Sequence, residues 1–241
     1  MKRIIVSLIL IVAAAVAVQA KTLVVYYSYT NNVNSVVAEL VRQIDADVIR
    51  VQPAEKGLDY AANNYAIGSA QIAAIRNNPH DSSSYPPIDP VDIDFGGYDF
   101  IIIGAPLWWS NMAAPLQTFL FNYGPAMAGK KIGLIVSSAS SGISGVEADA
   151  KRLIPDGDFI SPSLWIRSAR TSDAASLLSS WLKTIKFTEL TYLDSTYPDQ
   201  NLANYTIFTV DGRIIDRKAL SFQNLEKGMY IINGKKYYLN D

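Results

Sequence analysis

Apolar residues in this chain gather in two rhythms. Leu23-Val24-Val25-Tyr26-Tyr27 is an unbroken apolar run, the pattern of a strand covered on both faces. After a polar, turn-like stretch from Ser28 to Asn32, residues Val33, Val36, Val37, Leu40, Val41 and Ile44 recur at helical spacing and form one stripe. Asp47 to Val51 reads as a second strand. Strand, loop, helix and strand in that order are the signature of a parallel sheet.

The same alternation continues. Tyr60 to Arg76 has helical composition, and Asn77 to Pro90, rich in Pro, Ser and Asp, reads as an exposed loop. Tyr98 to Gly104 is the clearest central strand, with a helix over Pro115 to Tyr123. Lys131 to Val136 is the next strand, followed by a Ser/Gly loop and a helix around Val146 to Leu153. Leu164 to Ile166 is the fifth strand. Ala174, Leu177, Leu178, Trp181, Leu182 and Ile185 share one face of a last helix, which Ser172 or Asp173 is placed to cap. The class is therefore α/β: a doubly wound, five-stranded parallel sheet with helices on both faces. Ligands in such sheets bind beyond the carboxyl ends of the strands, where the strand order reverses. The loops after the first, third and fourth strands are the ones to inspect.

Beyond Phe187 the rhythm changes. Tyr205 to Val210 alternates like a strand, Asp211-Gly212 and Asn233-Gly234 are hairpin-turn signals, and Gly228 to Ile232 and Lys235 to Leu239 are further strands. The expected organisation is a leader over 1–20, an α/β domain over 21–188, a linker over 189–200 and a small C-terminal β appendage over 201–241.

Composition narrows the function classes. Lys and Arg number 21 against 22 Asp and Glu, so no basic excess holds a polyanion, and a nucleic-acid partner is not expected. Lys2 and Arg3, the apolar run Ile4 to Val18, and Val18-Gln19-Ala20 read as a secretory signal cleaved after Ala20. The expected mature protein is exported, periplasmic or cell-surface, without a membrane span. The chain has no cysteine, which excludes disulfides, thiolate metal sites and a cysteine nucleophile. His80 is its only histidine, so neither a histidine triad nor a histidine zinc site is available. Asp92, Asp94 and Asp99 read as solvated carboxylates, with a calcium site as the alternative; no metal site is expected.

Three loops carry candidate chemistry. Ser28-Tyr29-Thr30-Asn31-Asn32-Val33 joins a buried strand to a helix N-terminus, where free N–H groups and the helix dipole favour an anion. It has no Lys or Arg, so it offers a phosphate neutral donors; the same residues also serve as a plain helix cap. Gly104-Ala105-Pro106-Leu107-Trp108-Trp109-Ser110-Asn111-Met112 places two adjacent indoles directly after the central strand. They suit a flat ring system, or packing on the domain or on another subunit. Ser137-Ser138-Ala139-Ser140-Ser141-Gly142-Ile143-Ser144-Gly145 has small side chains that let its backbone approach a ligand, with a plain flexible loop as the alternative. It is not a nucleophile elbow, since neither Ser140 nor Ser144 has Gly two residues to each side.

With these loops in place, the stretch from about Leu23 to Phe187 resembles the flavodoxin family, in particular the bacterial branch with a Y-x-S-x-T-G-N-T start and a P-I-W-W-G loop. The resemblance implies FMN as cofactor, its phosphate on Ser28, Tyr29, Thr30, Asn31, Asn32 and Val33. It implies a ring between Pro106, Leu107, Trp108, Trp109, Ser110 and Asn111 on one side and Ser138, Ala139, Ser140, Ser141 and Gly142 on the other. Asn31 stands where the family has Gly, Val33 where it has Thr, and Ser110 where it has the Gly of the tryptophan loop. The third loop departs from a His-Gly-Gly-rich version. The C-terminal appendage is similar to sorting or attachment tails of exported Gram-negative proteins, with a plain hairpin module as the alternative.

The expected function is flavin-based electron transfer or NAD(P)H-dependent quinone-type reduction in the cell envelope. Its partner is a quinone, NAD(P)H or a redox protein, and no protein side chain is needed as a catalytic acid or base. The alternative is a binding module of the same fold that has lost FMN and presents Trp108 and Trp109 to a protein. A hydrolase on this scaffold is disfavoured for want of a nucleophile elbow.

Overall fold

The computed structural model describes residues 21–140 and 142–188, and the backbone of four strands within 205–239. The leader at 1–20, Ser141, the linker at 189–200 and both hairpin turns of the tail lie outside the described residues. The chain divides into two compact units, one spanning Ala20–Thr191 and one carrying the C-terminal strands.

In the larger unit, β1 (Thr22–Tyr26) lies between β2 (Asp47–Arg50) and β3 (Phe100–Trp108), all parallel. β4 (Asn111–Met112) turns back antiparallel on β3. β5 (Lys131–Ser138) follows β3 in the sheet, and the far edge is shared by two short parallel pieces, β6 (Asp158–Phe159) and β7 (Leu164–Arg167). The sheet thus has five parallel positions in the order β2-β1-β3-β5-β6/β7. Its order reverses across β1 and β3, so a crevice forms at their carboxyl ends.

Strand parity explains why helices cover both faces. Leu23, Val25, Ile101, Ile103, Ile132, Leu134 and Val136 point to one side. There they meet α2 (Ala62–Asn77), α3 (Ala114–Tyr123) and α4 (Ser144–Leu153) through Ile72, Ile75, Leu116, Phe119 and Val146. Val24, Tyr26, Phe100, Ile102 and Ile135 point to the other, where α1 (Asn32–Leu40) and α5 (Ala174–Thr184) lay down Val33, Val36, Val37, Leu40, Leu178 and Trp181. Both layers are apolar, so the central strands read as unbroken apolar runs. Gly104 admits α1 to the sheet: a β-carbon there would lie 2.9 Å from Tyr26 Cβ and 3.1 Å from Val33 Cγ1.

Two local expectations are corrected. Asp173 precedes α5, but its side chain makes no cap bond; it accepts instead from Arg170 Nε at 2.9 Å. Pro106, Leu107 and Trp108 are not loop but the last residues of β3, because β5 pairs with Pro106 and β4 with Leu107 and Trp108.

The C-terminal strands β8 (Tyr205–Thr209), β9 (Ile214–Ala219), β10 (Gly228–Ile232) and β11 (Lys235–Leu239) form an antiparallel sheet in the order β11-β10-β8-β9. β9 is absent from the sequence expectation, since Ile214 to Ala219 carries three charged residues and little alternation. No helix among the described residues is long and apolar enough to cross a membrane.

Candidate functional site

The first loop crosses the carboxyl end of β1 and opens α1. Ser28 is buried, and its hydroxyl accepts the Asn34 N–H at 3.2 Å. Tyr26 fixes the other side of Asn34, its phenol donating to Asn34 Oδ1 at 2.7 Å. Asn31 is left-handed, with φ 64°, so the place where the family has Gly does need a positive φ, which Asn tolerates best among other residues. Val33 is buried against Gly104. It therefore contributes its backbone N–H alone, and the family's Thr is replaced here by core packing. Among the described residues, no acceptor receives the N–H groups of Thr30, Asn31, Asn32 or Val33. Four free donors at a helix start make an anion cradle.

The cradle is not purely neutral. Arg50, at the end of β2, donates from Nη2 to the Ser28 carbonyl at 3.2 Å and lies 5.9 Å from the Tyr26 ring centroid. No carboxylate among the described residues pairs with it. The loop's own sequence lacks a cation, and only the β1–β2 pairing brings this one beside it.

The two tryptophans part ways. Trp108 packs inward, 5.7 Å edge-on from Tyr27 and 4.8 Å from Tyr60 between ring centroids. Trp109 is 41% exposed. Leu107 pairs with Met112 and Trp108 with Asn111, leaving Trp109 and Ser110 as a two-residue turn with φ of 46° and 64°. Positive φ at both positions is the type I′ hairpin signature, normally Asn-Gly. For a bulky Trp it costs about 1–3 kcal/mol, so other contacts must hold it.

A cleft of about 220 Å³ opens between this hairpin, the first loop and the start of α2, lined by Tyr29, Thr30, Tyr60, Tyr65, Gly68, Leu107, Trp108 and Trp109. Gly68 makes room for the indoles: a β-carbon there would sit 3.1 Å from Trp109 Cζ3 and 3.4 Å from Trp108 Cε3. Asn63, Asn64 and Tyr65 are consecutively left-handed (φ 50°, 55° and 62°), and Tyr65 is 52% exposed at the rim of the cleft. Tyr29 ties the first loop to this segment: its phenol donates to Asp59 Oδ1 at 2.8 Å and accepts the Ala61 N–H at 3.0 Å. The Asp59 carboxyl is held below its ordinary value, first by Tyr29 and then by the Ala61 amide. Burial raises the Tyr60 phenol, opposed by Gln71. Tyr60 Oη and Gln71 Oε1 are both buried without a hydrogen bond of good geometry.

The third loop sits apart from this cleft. Ser137 and Ser138 are buried, Ala139, Ser140 and Gly142 are exposed, and none lines the cleft. Ser138 Oγ accepts the Trp165 indole N–H at 2.8 Å, and Arg167 lies 5.9 Å from the Trp165 ring centroid. Pro106, Ser110 and Asn111 also lie outside the cleft lining. Of the expected residues, the structure gathers Tyr29, Thr30, Leu107, Trp108 and Trp109 around one cavity. It adds Tyr60, Tyr65 and Gly68, whose only sequence signal is aromatic and Gly residues in a segment read for helicity alone. His80 is exposed, and among the described residues no group of acids and histidines can hold a metal.

The donor set fits FMN. Free amides and an unpaired guanidinium suit a phosphate, and flat aromatic walls suit a ring system. The cleft is smaller than the roughly 300–1,000 Å³ of typical ligand pockets, so it accommodates part of such a ligand, with Trp109 and Tyr65 at its mouth.

Comparison with known proteins bears on the fold and the family. Similar solved structures include a protein of Bacteroides eggerthii described as a flavoprotein, at 23% identity and TM-score 0.55, covering 69% of this chain and 98% of that one. A second, from Bacteroides uniformis and described likewise, has 24% identity and TM-score 0.53, covering 68% and 99%. A third is a flavoprotein in complex with FMN from Lactobacillus acidophilus, at 23% identity and TM-score 0.51, covering 65% and 99%. At these identities they establish the fold. The family model described as Flavodoxin matches residues 21–185, and the chain belongs to the flavodoxin family.

Proposed function

We propose that this protein binds FMN non-covalently and works as an electron-transferring flavoprotein of the cell envelope after export. The observation that carries this reading is the continuity of the site. Thr30 belongs both to the loop with four free N–H donors and to the wall of the aromatic cleft. One ligand with an anionic end and a flat end satisfies both parts.

In this reading the amides of Thr30 to Val33 and the Arg50 guanidinium hold the phosphate. Ser28 holds the loop to the helix by accepting from Asn34. Tyr65, Trp108 and Trp109 cover the ring and exclude water. Bound FMN supplies the electron and hydride chemistry, and the chain supplies binding and orientation. The partner is a redox protein, or NAD(P)H together with a quinone. The leader at 1–20 directs export, and the tail serves as a separate address or attachment module.

A second reading rests on a different observation. Trp109 and Tyr65 are both well exposed, which also suits a binding module that has lost the flavin and docks a protein there. Titrating the purified protein with FMN while following flavin fluorescence separates the two. Saturable quenching with Kd near or below about 1 μM supports the flavoprotein. A folded protein that leaves the flavin unquenched at tens of micromolar excludes it and favours the docking surface.

A further inference from the structure

The Trp109–Ser110 turn is held from three helices at once. Arg76, near the end of α2, donates from Nη2 to the Trp109 carbonyl and from Nε to Asn111 Oδ1 at 2.6 Å. Asp149 on α4, 6% exposed, accepts from Asn111 Nδ2 and from the Met112 N–H, both at 2.9 Å. Gln117 on α3, 1% exposed, donates to the Met112 carbonyl at 2.7 Å. Arg152 closes the network, reaching Asp149 Oδ1 at 3.0 Å, Gln117 Oε1 at 2.7 Å and Tyr85 Oη at 2.9 Å.

This network is aimed at one feature. Asn111 is gripped at both ends of its amide, and the main chain is held at Trp109 and Met112 on either side of Ser110. A non-glycine turn with two positive φ values persists only where its surroundings over-determine it. Arg76 is also on the helix that carries Tyr65 and Gly68, so one side chain links both walls of the cleft.

We propose that Arg76 and Asp149 are positioning residues: they hold the Trp109–Ser110 turn in its left-handed form and thereby set the Trp109 ring at the mouth of the cleft. Neither touches the ligand site. The proposal goes beyond flavin binding, and only one of its two readouts rests on that reading.

The test uses Arg76→Gln, because Arg76 is exposed and its loss leaves no charge buried, with Asp149→Asn as the second variant. In the ligand-free protein, the near-ultraviolet circular dichroism of the indoles weakens, since Trp109 loses its fixed angle to Trp108. In FMN titration, Kd rises roughly tenfold, the scale of releasing one strained turn. Ser110→Gly supplies the discriminating arm. Glycine at Ser110 removes the strain at one of the two left-handed positions (φ 64°) and leaves that of Trp109 (φ 46°), so Arg76→Gln combined with Ser110→Gly regains part of both the dichroism and the affinity. A merely structural role for Arg76 would not be rescued there. Wild-type dichroism and affinity in Arg76→Gln would overturn the proposal, as would a double variant no better than the single one. Should the wild type itself bind no FMN, the flavin reading fails and the dichroism arm alone decides the positioning role.

Discussion

Gly145 lies so close beneath Ser110 that a β-carbon on it would stand 1.7 Å from the Ser110 carbonyl oxygen. The start of α4 is thus in direct contact with the turn that carries Trp109. Nothing flexible lies between them, because the obstructing atom is backbone. Gly145→Ala forces either the turn or the helix start to move. The expected cost is about 2–3 kcal/mol, seen as a fall in Tm of roughly 5 °C or more, with the tryptophan dichroism altered. A variant with wild-type Tm would show that the contact is looser than this geometry.

Gly68 gives the opposite pairing of effects. Alanine there raises helix propensity by up to about 1 kcal/mol, while its β-carbon meets Trp109 Cζ3 at 3.1 Å. Gly68→Ala is expected to keep or raise Tm and to weaken FMN binding. A larger residue, as in Gly68→Leu, abolishes binding by filling the cleft. Calorimetry alongside FMN titration reads both quantities, and unimpaired binding in Gly68→Leu would place the flavin elsewhere.

Arg50 separates a phosphate from a ring. Arg50→Gln removes the unpaired cation beside the first loop, and the expected loss in FMN affinity is about fivefold, the scale of a partly exposed charge interaction of about 1 kcal/mol. Riboflavin, which has no phosphate, loses nothing. The wild-type preference for FMN also falls with added salt, and the variant's falls less. Equal losses for both flavins would remove Arg50 from the phosphate site.

Asn31 and Asp59 test the first loop from two directions. Asn31→Ala places a residue with a β-carbon and no local hydrogen bonding at φ 64°, at a cost of about 1 kcal/mol, whereas Asn31→Gly is neutral or stabilising. Urea melts measure both.

The Asp59 carboxyl, depressed by Tyr29 and by the Ala61 amide, contributes stability that is complete above its ordinary pKa of 3.8 and lost as pH falls through its lowered value. Tyr29→Phe removes the larger of those two causes. The variant should therefore have a lower Tm above about pH 4 and a smaller fall along the acid limb, because less Asp59 stability remains to be lost. Superimposable limbs would mean that the Tyr29–Asp59 bond does not persist in solution.

The alkaline side has the reverse sign. Burial raises Tyr27 and Tyr60, and hydrogen bonds to Asp59 and Asp47 raise Tyr29 and Tyr98. These phenols contribute stability that is complete below the ordinary value of 10.0 and lost above it. These four should ionise only above the ordinary phenol value of 10.0, read by phenolate absorbance. Unfolding should release them together.

Much of the fold is written locally. The parity of Leu23 to Tyr27 and of Phe100 to Ile103 assigns each side chain to a face, because successive residues of a strand alternate sides. The stripes at Val33 to Leu40 and Ala174 to Trp181 mark helices that cover those faces. The order of these elements, with the loop after β1 and the indoles after β3, was enough to indicate the family, the FMN expectation and five of the eight residues of the cleft wall.

Other features depend on residues far apart in the chain. The Trp109–Ser110 hairpin opposes the backbone preference of both residues, so no local propensity announces it; Arg76 and Asp149 hold it from other helices. Arg50 reaches the first loop only because β2 pairs beside β1, and Tyr65 and Gly68 reach the cleft only because α2 packs across the indoles. The alternation of strands and helices, and the loops that stand at the binding edge, follow from local patterns of apolar and polar residues. Which side chains meet there depends on long-range packing, because a conformation disfavoured locally survives only where several distant partners hold it together.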